Sequence, residues 1–240
     1  HESLPSRRAA ELTMKVANAV EFAHQRGTLH RDLKPANILI EREKQPHITD
    51  FGLAKVICDD KSLAELTASG QILGTPSYMA PEQAAGKQSH VGPASDIYSL
   101  GAVLYACLTS RAPFVADSPV DTLLQVTHNE PVSPRRLNAA IPKDLETICL
   151  KCLEKETHKR YGTAALLADD LARFLQGRTV MARPAGTISK FLRWCKRNKA
   201  LAAVSLFAVA LAITLSIGAP LIAWWQASMR HAAESLASQN

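Results

Sequence analysis

The stretch His30-Arg31-Asp32-Leu33-Lys34-Pro35-Ala36-Asn37-Ile38-Leu39-Ile40 (HRDLKPANILI, residues 30–40) decides how the rest of the chain is read. It places a carboxylate, an ammonium and an amide at tight spacing and runs directly into three apolar strand-formers. Upstream, Leu12, Val16, Ala19, Val20 and Ala23 recur at helical spacing, which predicts a helix over residues 8–26 ended by Gly27. Downstream, Ile38–Ile40 and residues 47–49 read as two short strands joined by a charged turn at 41–46. Residues 52–90 are rich in Gly, Ser, Thr and Pro with little periodicity, and a long irregular segment within a compact domain is usually functional. Helical patterns resume over residues 95–109, 120–128, 143–154 and 163–175. The expected fold is mainly α, with one small strand pair beneath a long loop.

The residue types in the opening stretch suit one chemistry. Phosphoryl transfer needs a carboxylate to orient the attacking hydroxyl, positive charge near the moving group and hard oxygen ligands for Mg²⁺. Asp32 supplies the first and Lys34 the second. Asn37, five residues after Asp32, and Asp50, directly after the second predicted strand, supply the metal ligands. Gly52 then allows a sharp turn away from the metal site.

Taken together, HRDLKPAN (30–37), DFG (50–52), GTPSYMAPEQ (74–83) and DIYSLG (96–101) resemble the C-terminal lobe of a eukaryotic-type Ser/Thr protein kinase. The bacterial receptor-like, single-pass membrane kinases are similar in style. The resemblance covers residues 1–176. It implies ATP and Mg²⁺ as cofactors, with Asp32 as catalytic base and Lys34 as the phosphate-contacting lysine. Asn37 and Asp50 are then the metal and nucleotide ligands. Arg31 resembles the arginine that pairs with a phosphorylated activation loop, here residues 50–82. Candidate phosphosites in that loop are Thr67, Ser69, Thr75 and Ser77, with Thr67 or Ser69 favoured. Thr75 resembles a threonine that hydrogen-bonds near Asp32 and Lys34. Glu82 is expected to pair with Arg160, and Asp96 to begin a central helix and bond the catalytic-loop backbone; these roles are structural.

The departures from the family pattern are informative. Its Gly-rich loop, strand lysine and partnering helix glutamate have no counterpart in the 29 residues before His30. Positioning and electrostatics carry most of phosphoryl transfer. The chain by itself is therefore expected to be inactive, as the later part of a longer protein that also continues past Asn240. A smaller departure is Ser110, which stands where LTSRAPF (108–114) resembles a Leu-Thr-Gly turn.

The formal net charge of +6 is unevenly placed. Residues 1–170 hold 19 Lys and Arg against 21 Asp and Glu, whereas no acidic residue falls in 171–233. Arg173, Arg178, Arg183, Lys190, Arg193, Lys196, Arg197 and Lys199 crowd the approach to an apolar run. That distribution reads as cytoplasmic-side anchoring, and no nucleic-acid-reading module accompanies it. The five cysteines form no disulfide framework and suit a reducing compartment. Cys149 and Cys152 make a C-x-x-C, but they share an apolar helical stripe with Leu145, Ile148 and Leu153, which marks core thiols rather than a zinc site.

Residues 200–225 contain no charge; as a helix they extend about 39 Å, more than the ~30 Å apolar core of a bilayer. Trp194, Trp224 and Trp225 flank the run as interface anchors do. The expected organisation is a kinase C-lobe (1–176), a basic juxtamembrane linker (177–199), one transmembrane helix (200–225) and the start of an extracytoplasmic region (226–240). Ile188, Phe191, Leu192 and Cys195 share a helical face, which fits either an interfacial amphipathic helix or a solvated linker.

The expected function is Ser/Thr phosphorylation of protein substrates at the inner membrane, the kinase portion facing the cytoplasm, with homodimerisation possible for autophosphorylation. Two rivals are a membrane-tethered pseudokinase scaffold and a small-molecule kinase. The first sits poorly with the intact Asp32, Asn37 and Asp50, and the second with GTPSYMAPEQ and the Glu82–Arg160 pairing.

Overall fold

In a computed structural model of the chain, the described residues are 3–41, 45–51 and 75–182, together with Leu211, Ala212, Thr214 and Trp225. The chain divides into two compact units, His1–Pro184 and Ala185–Asn240. In the second unit the four described positions are helical. Of the proposed linker, residues 177–182 are described and belong to the first unit, where the Met181 and Ala182 amides donate to Asp170; the rest of the linker, and the transmembrane run apart from those four positions, lie outside the described residues. Among the described residues no helix is long and apolar enough to cross a membrane.

The first unit is mainly helical. Helix α1, Ser6–His24, buries Ala9, Leu12, Thr13, Val16, Ala17 and Val20 along one stripe. It ends as its composition predicts: the Thr28 amide donates to Ala23 O, the Gly27 amide donates to His24 O, and Gly27 takes φ 74°. That left-handed ending suits a residue with no Cβ. Strands β1, Ile38–Ile40, and β2, Pro46–Ile48, pair antiparallel with Ile38 opposite Ile48. The second strand therefore begins and ends one residue earlier than expected. Thr49 still bonds the residue opposite it in this register: its amide donates to Asn37 O at 3.0 Å and its hydroxyl to the same oxygen at 3.4 Å.

Four helices carry proline as their first residue, where the missing N–H has no intrahelical partner to lose. They are α2, Pro81–Ala84; α3, Pro93–Thr109; α4, Pro119–His128; and α5, Pro134–Leu137. Helices α6, Lys143–Cys152, and α7, Ala164–Leu175, complete the set. The apolar periodicity located the four longer helices downstream of the loop to within two residues; α2 and α5 are single turns too short to show a period. Thr163 caps α7 by accepting from the Leu166 amide, and Glu21 of α1 accepts from the Ala165 amide at 3.1 Å.

Helix α3 is buried on nearly every side, with Ile97, Tyr98, Leu100, Leu104 and Tyr105 fully enclosed, so it forms the axis of the core. Helices α1, α6 and α7 pack around it, and α7 packs against both α1 and α6. The α3–α6 approach is close enough that a Cβ on Gly101 would meet Cys152 Cβ at 2.4 Å. Cys149 and Cys152 are fully buried in this seam, and Cys149 Sγ lies 3.6 Å from Gly101 O. Burial pushes both thiols well above their ordinary range, which keeps them in the thiol form.

Ser110 ends α3 at φ 59°, a left-handed conformation that strains an L-residue. The strain is about 1–2 kcal/mol, partly offset by the greater freedom glycine has when unfolded. Ser110→Gly is expected to stabilise the protein by about 0.5–1 kcal/mol. Urea denaturation midpoints of the two proteins check this.

Candidate active site

The loop from His30 to Asn37 is held by a carboxylate from the first turn of α3. Asp96 Oδ2 accepts from the His30 amide at 2.9 Å and Asp96 Oδ1 from the Arg31 amide at 2.8 Å. Arg31 sits at φ 68°, a strained conformation that persists only where its surroundings impose it. Two charge-assisted bonds on the adjoining peptide groups provide that imposition. His24, in the last turn of α1, adds a third bond from Nε2 to Asp96 Oδ2 at 2.8 Å. Asp96 is 1% exposed, so its charge is compensated by these donors and by its place at a helix N-terminus.

His30 is itself fully buried and ties the loop to the strands. Its Nε2 donates to Thr49 O at 2.9 Å, leaving Nδ1 to accept the Asp32 amide at 3.4 Å. The ring also packs against Phe51, with centroids 4.7 Å apart.

Four sequence-predicted residues converge beyond this anchor. Lys34 Nζ donates to Asp32 Oδ2 at 2.7 Å. Asn37 Nδ2 donates to Asp32 O at 2.9 Å and to Asp32 Oδ2 at 3.3 Å. Among the described residues nothing donates to Asp32 Oδ1, so one carboxylate oxygen is held and the other open. Spending both amide hydrogens on Asp32 likewise leaves Asn37 Oδ1 as an uncommitted hard acceptor. The Thr49 amide donates to Asn37 O, so Asp50 is the next residue after the one paired with Asn37, and it takes φ 61°. An amide oxygen beside a carboxylate is a donor set that fits Mg²⁺.

A second buried anchor lies below. Glu82 in α2 makes a two-pronged ion pair with Arg160, Oε1 and Oε2 each 2.8 Å from a guanidinium nitrogen. Arg160 Nε also donates to Glu154 O, and its two terminal nitrogens donate to Ala94 O and Lys155 O. All five guanidinium hydrogens are thereby used. Ser95 Oγ donates to Glu82 Oε1 at 2.7 Å. Burial alone would raise the Glu82 carboxyl, but the hydrogen bonds and charge of Arg160, with Ser95, outweigh it and hold the carboxyl below its ordinary value.

Other predicted residues are not gathered in. Thr75 is exposed at the head of the turn Pro76–Tyr78, and among the described residues its hydroxyl bonds neither Asp32 nor Lys34. The Arg31 guanidinium makes no ion pair among the described residues. Thr67, Ser69 and Gly52 lie outside them. Two contributors were missed from sequence, His24 and Gln83. His24 falls at i+4 from Val20 and i+7 from Ala17, so a polar residue on the buried stripe was the available signal. Gln83 Nε2 donates to Arg31 O at 2.9 Å, a contact across 52 residues with no local sequence signal.

The profile described as "Protein kinase domain" matches residues 1–172. The chain is 40% identical over 174 residues to "Serine/threonine-protein kinase PknB" of Mycobacterium leprae (strain TN), covering 72% of this chain and 27% of that protein. It is 42% identical over 171 residues to the protein of the same name from Mycolicibacterium smegmatis (71% and 27%). Identity is 39% over 178 residues to "Probable serine/threonine-protein kinase SCO3848" of Streptomyces coelicolor (74% and 26%). The chain thus spans about a quarter of the length of these curated relatives.

Removing Arg160 while leaving Glu82 buried is expected to be severe: Arg160→Met should cost about 3–5 kcal/mol in urea unfolding at pH 7. The pH dependence has a definite sign. Glu82 titrates below the ordinary value of 4.5 in the folded protein, so its contribution is complete above that value and is lost as the pH falls through the folded one. Glu82→Gln should therefore flatten the stability loss that sets in as the pH falls below 4.5, read from urea midpoints across an acid series.

Proposed function

The chain belongs to the protein kinase family, and from that premise we propose that it is the catalytic-loop half of a membrane-anchored kinase that phosphorylates Ser and Thr hydroxyls of proteins. The observation that carries this reading is the divided carboxylate of Asp32, one oxygen held by Lys34 and Asn37 and the other open. The open oxygen accepts the proton of an incoming hydroxyl as the hydroxyl oxygen attacks the γ-phosphorus of ATP, and the bond from that phosphorus to the bridging oxygen breaks to release ADP. Lys34, held 2.7 Å from Asp32, lies where it offsets the negative charge of the transferred group. Asn37 and Asp50 hold Mg²⁺, which when bound neutralises charge on the nucleotide phosphates. The Glu82–Arg160–Ser95 anchor fixes the end of the 50–82 segment, which supports a peptide rather than a small molecule as acceptor.

Residues 200–225 form the single membrane span in this reading, with the basic 177–199 linker on the cytoplasmic side beside the kinase portion. Arg31, beside the base, receives a phosphate placed on Thr67 or Ser69 of the loop. Protein substrates and a second copy of the kinase are the partners.

Asp32→Asn in the full-length protein is expected to lower phosphate transfer by about 10²–10⁴-fold while Mg-ATP affinity stays unchanged. Transfer at the wild-type rate would refute the base assignment, and Mg-ATP binding without any transfer by the wild type would favour a scaffold. Phosphopeptide mapping after incubation with ATP is expected to find phosphate on Thr67 or Ser69; phosphate confined to positions outside 50–82 would refute the loop assignment.

A further inference from the structure

We propose that Gln83 is a positioning residue for the catalytic carboxylate, clamping the peptide group that precedes Asp32; this rests on the reading of Asp32 as the base. The amide of Gln83 is committed at both ends. Nε2 donates to Arg31 O at 2.9 Å, and Oε1 accepts from the Ala80 amide at 3.2 Å. The opposite amide orientation would set oxygen against oxygen and nitrogen against nitrogen, so this is the orientation the partners select.

The consequence lies in what Arg31 O belongs to. The peptide unit from Arg31 to Asp32 has its carbonyl held by Gln83 and its N–H held by His30 Nδ1 at 3.4 Å. The preceding unit has its N–H held by Asp96 Oδ1 at 2.8 Å. Together these bonds fix both backbone torsions of Arg31 in the strained left-handed region, at φ 68°. The direction in which Asp32 projects follows from that torsion pair. Asp96 and His30 belong to the helix axis and to the loop itself, whereas Gln83 comes from α2, the helix that ends the 50–82 segment. Gln83 therefore bonds α2 directly to the peptide group that precedes Asp32. Beside it, Glu82 pairs with Arg160, so adjacent residues divide anchoring from positioning.

Gln83→Glu and Gln83→Met test this. Both remove the donor to Arg31 O, and the glutamate keeps an acceptor for the Ala80 amide. Amide hydrogen exchange of the chain itself is expected to speed up about 10-fold at Asp32 in both variants, with α3 unchanged. In the full-length protein kcat for a Ser/Thr peptide is expected to fall about 10-fold at unchanged KM for ATP. Unchanged exchange at Asp32, or a rise spread uniformly over the unit, would overturn the clamp. Faster exchange with normal kcat, while Asp32→Asn is inactive, would overturn its catalytic role. An active Asp32→Asn would overturn the base assignment and the positioning role with it, a failure visible in that control alone.

Discussion

The buried carboxylate of Asp96 is the constraint around which the unit is arranged. It accepts three donors that come from two separate parts of the chain, the last turn of α1 and the start of the catalytic loop. A carboxylate that is 1% exposed is tolerable only when its charge is answered. Those donors and the N-terminus of α3 supply the answer, and the result is a strained loop fastened to the most deeply buried helix. The loop between His30 and Asn37 has no ladder of its own, and this fastening is joined by Gln83 at Arg31 O and by Thr49 at His30 and Asn37.

The neighbouring position in the same turn performs a second task. Ser95 donates to Glu82, whose carboxylate is paired with Arg160, so the first turn of α3 reaches both the catalytic loop and the end of the 50–82 segment. The two anchors differ in chemistry. At Asp96 a carboxylate meets mainly backbone amides, which have fixed geometry and set backbone direction. At Glu82 a carboxylate meets a guanidinium, all of whose hydrogens find acceptors, which sets the packing of distant segments. The first arrangement sets the course of the loop, and the second packs distant segments together.

Much of the helical framework was legible because its residues repeat with the period of the structure they form. The α1 stripe, its Gly27 ending and the four later helices follow from spacing alone, and the paired cysteines proved to be part of the α3–α6 seam. The second strand begins and ends one residue earlier than its pattern suggested, because three residues are too few for alternation to fix a boundary, and Thr49 still bonds Asn37 O opposite it. Single-turn helices such as α2 and α5 are too short to show a period, and neither was read from the sequence.

By itself the sequence determined the fold class and the residue types at the site, because apolar period and the spacing of Asp32, Lys34 and Asn37 are properties of contiguous residues. It likewise nominated Glu82, Asp96 and Arg160 through resemblance. Tertiary structure alone decided that His24 and Gln83 belong with them, and that Arg31 is held in a left-handed conformation. Those facts depend on groups brought together from helices dozens of residues apart. A hydrogen bond of that kind is set by packing distance and direction, neither of which is written in local order along the chain.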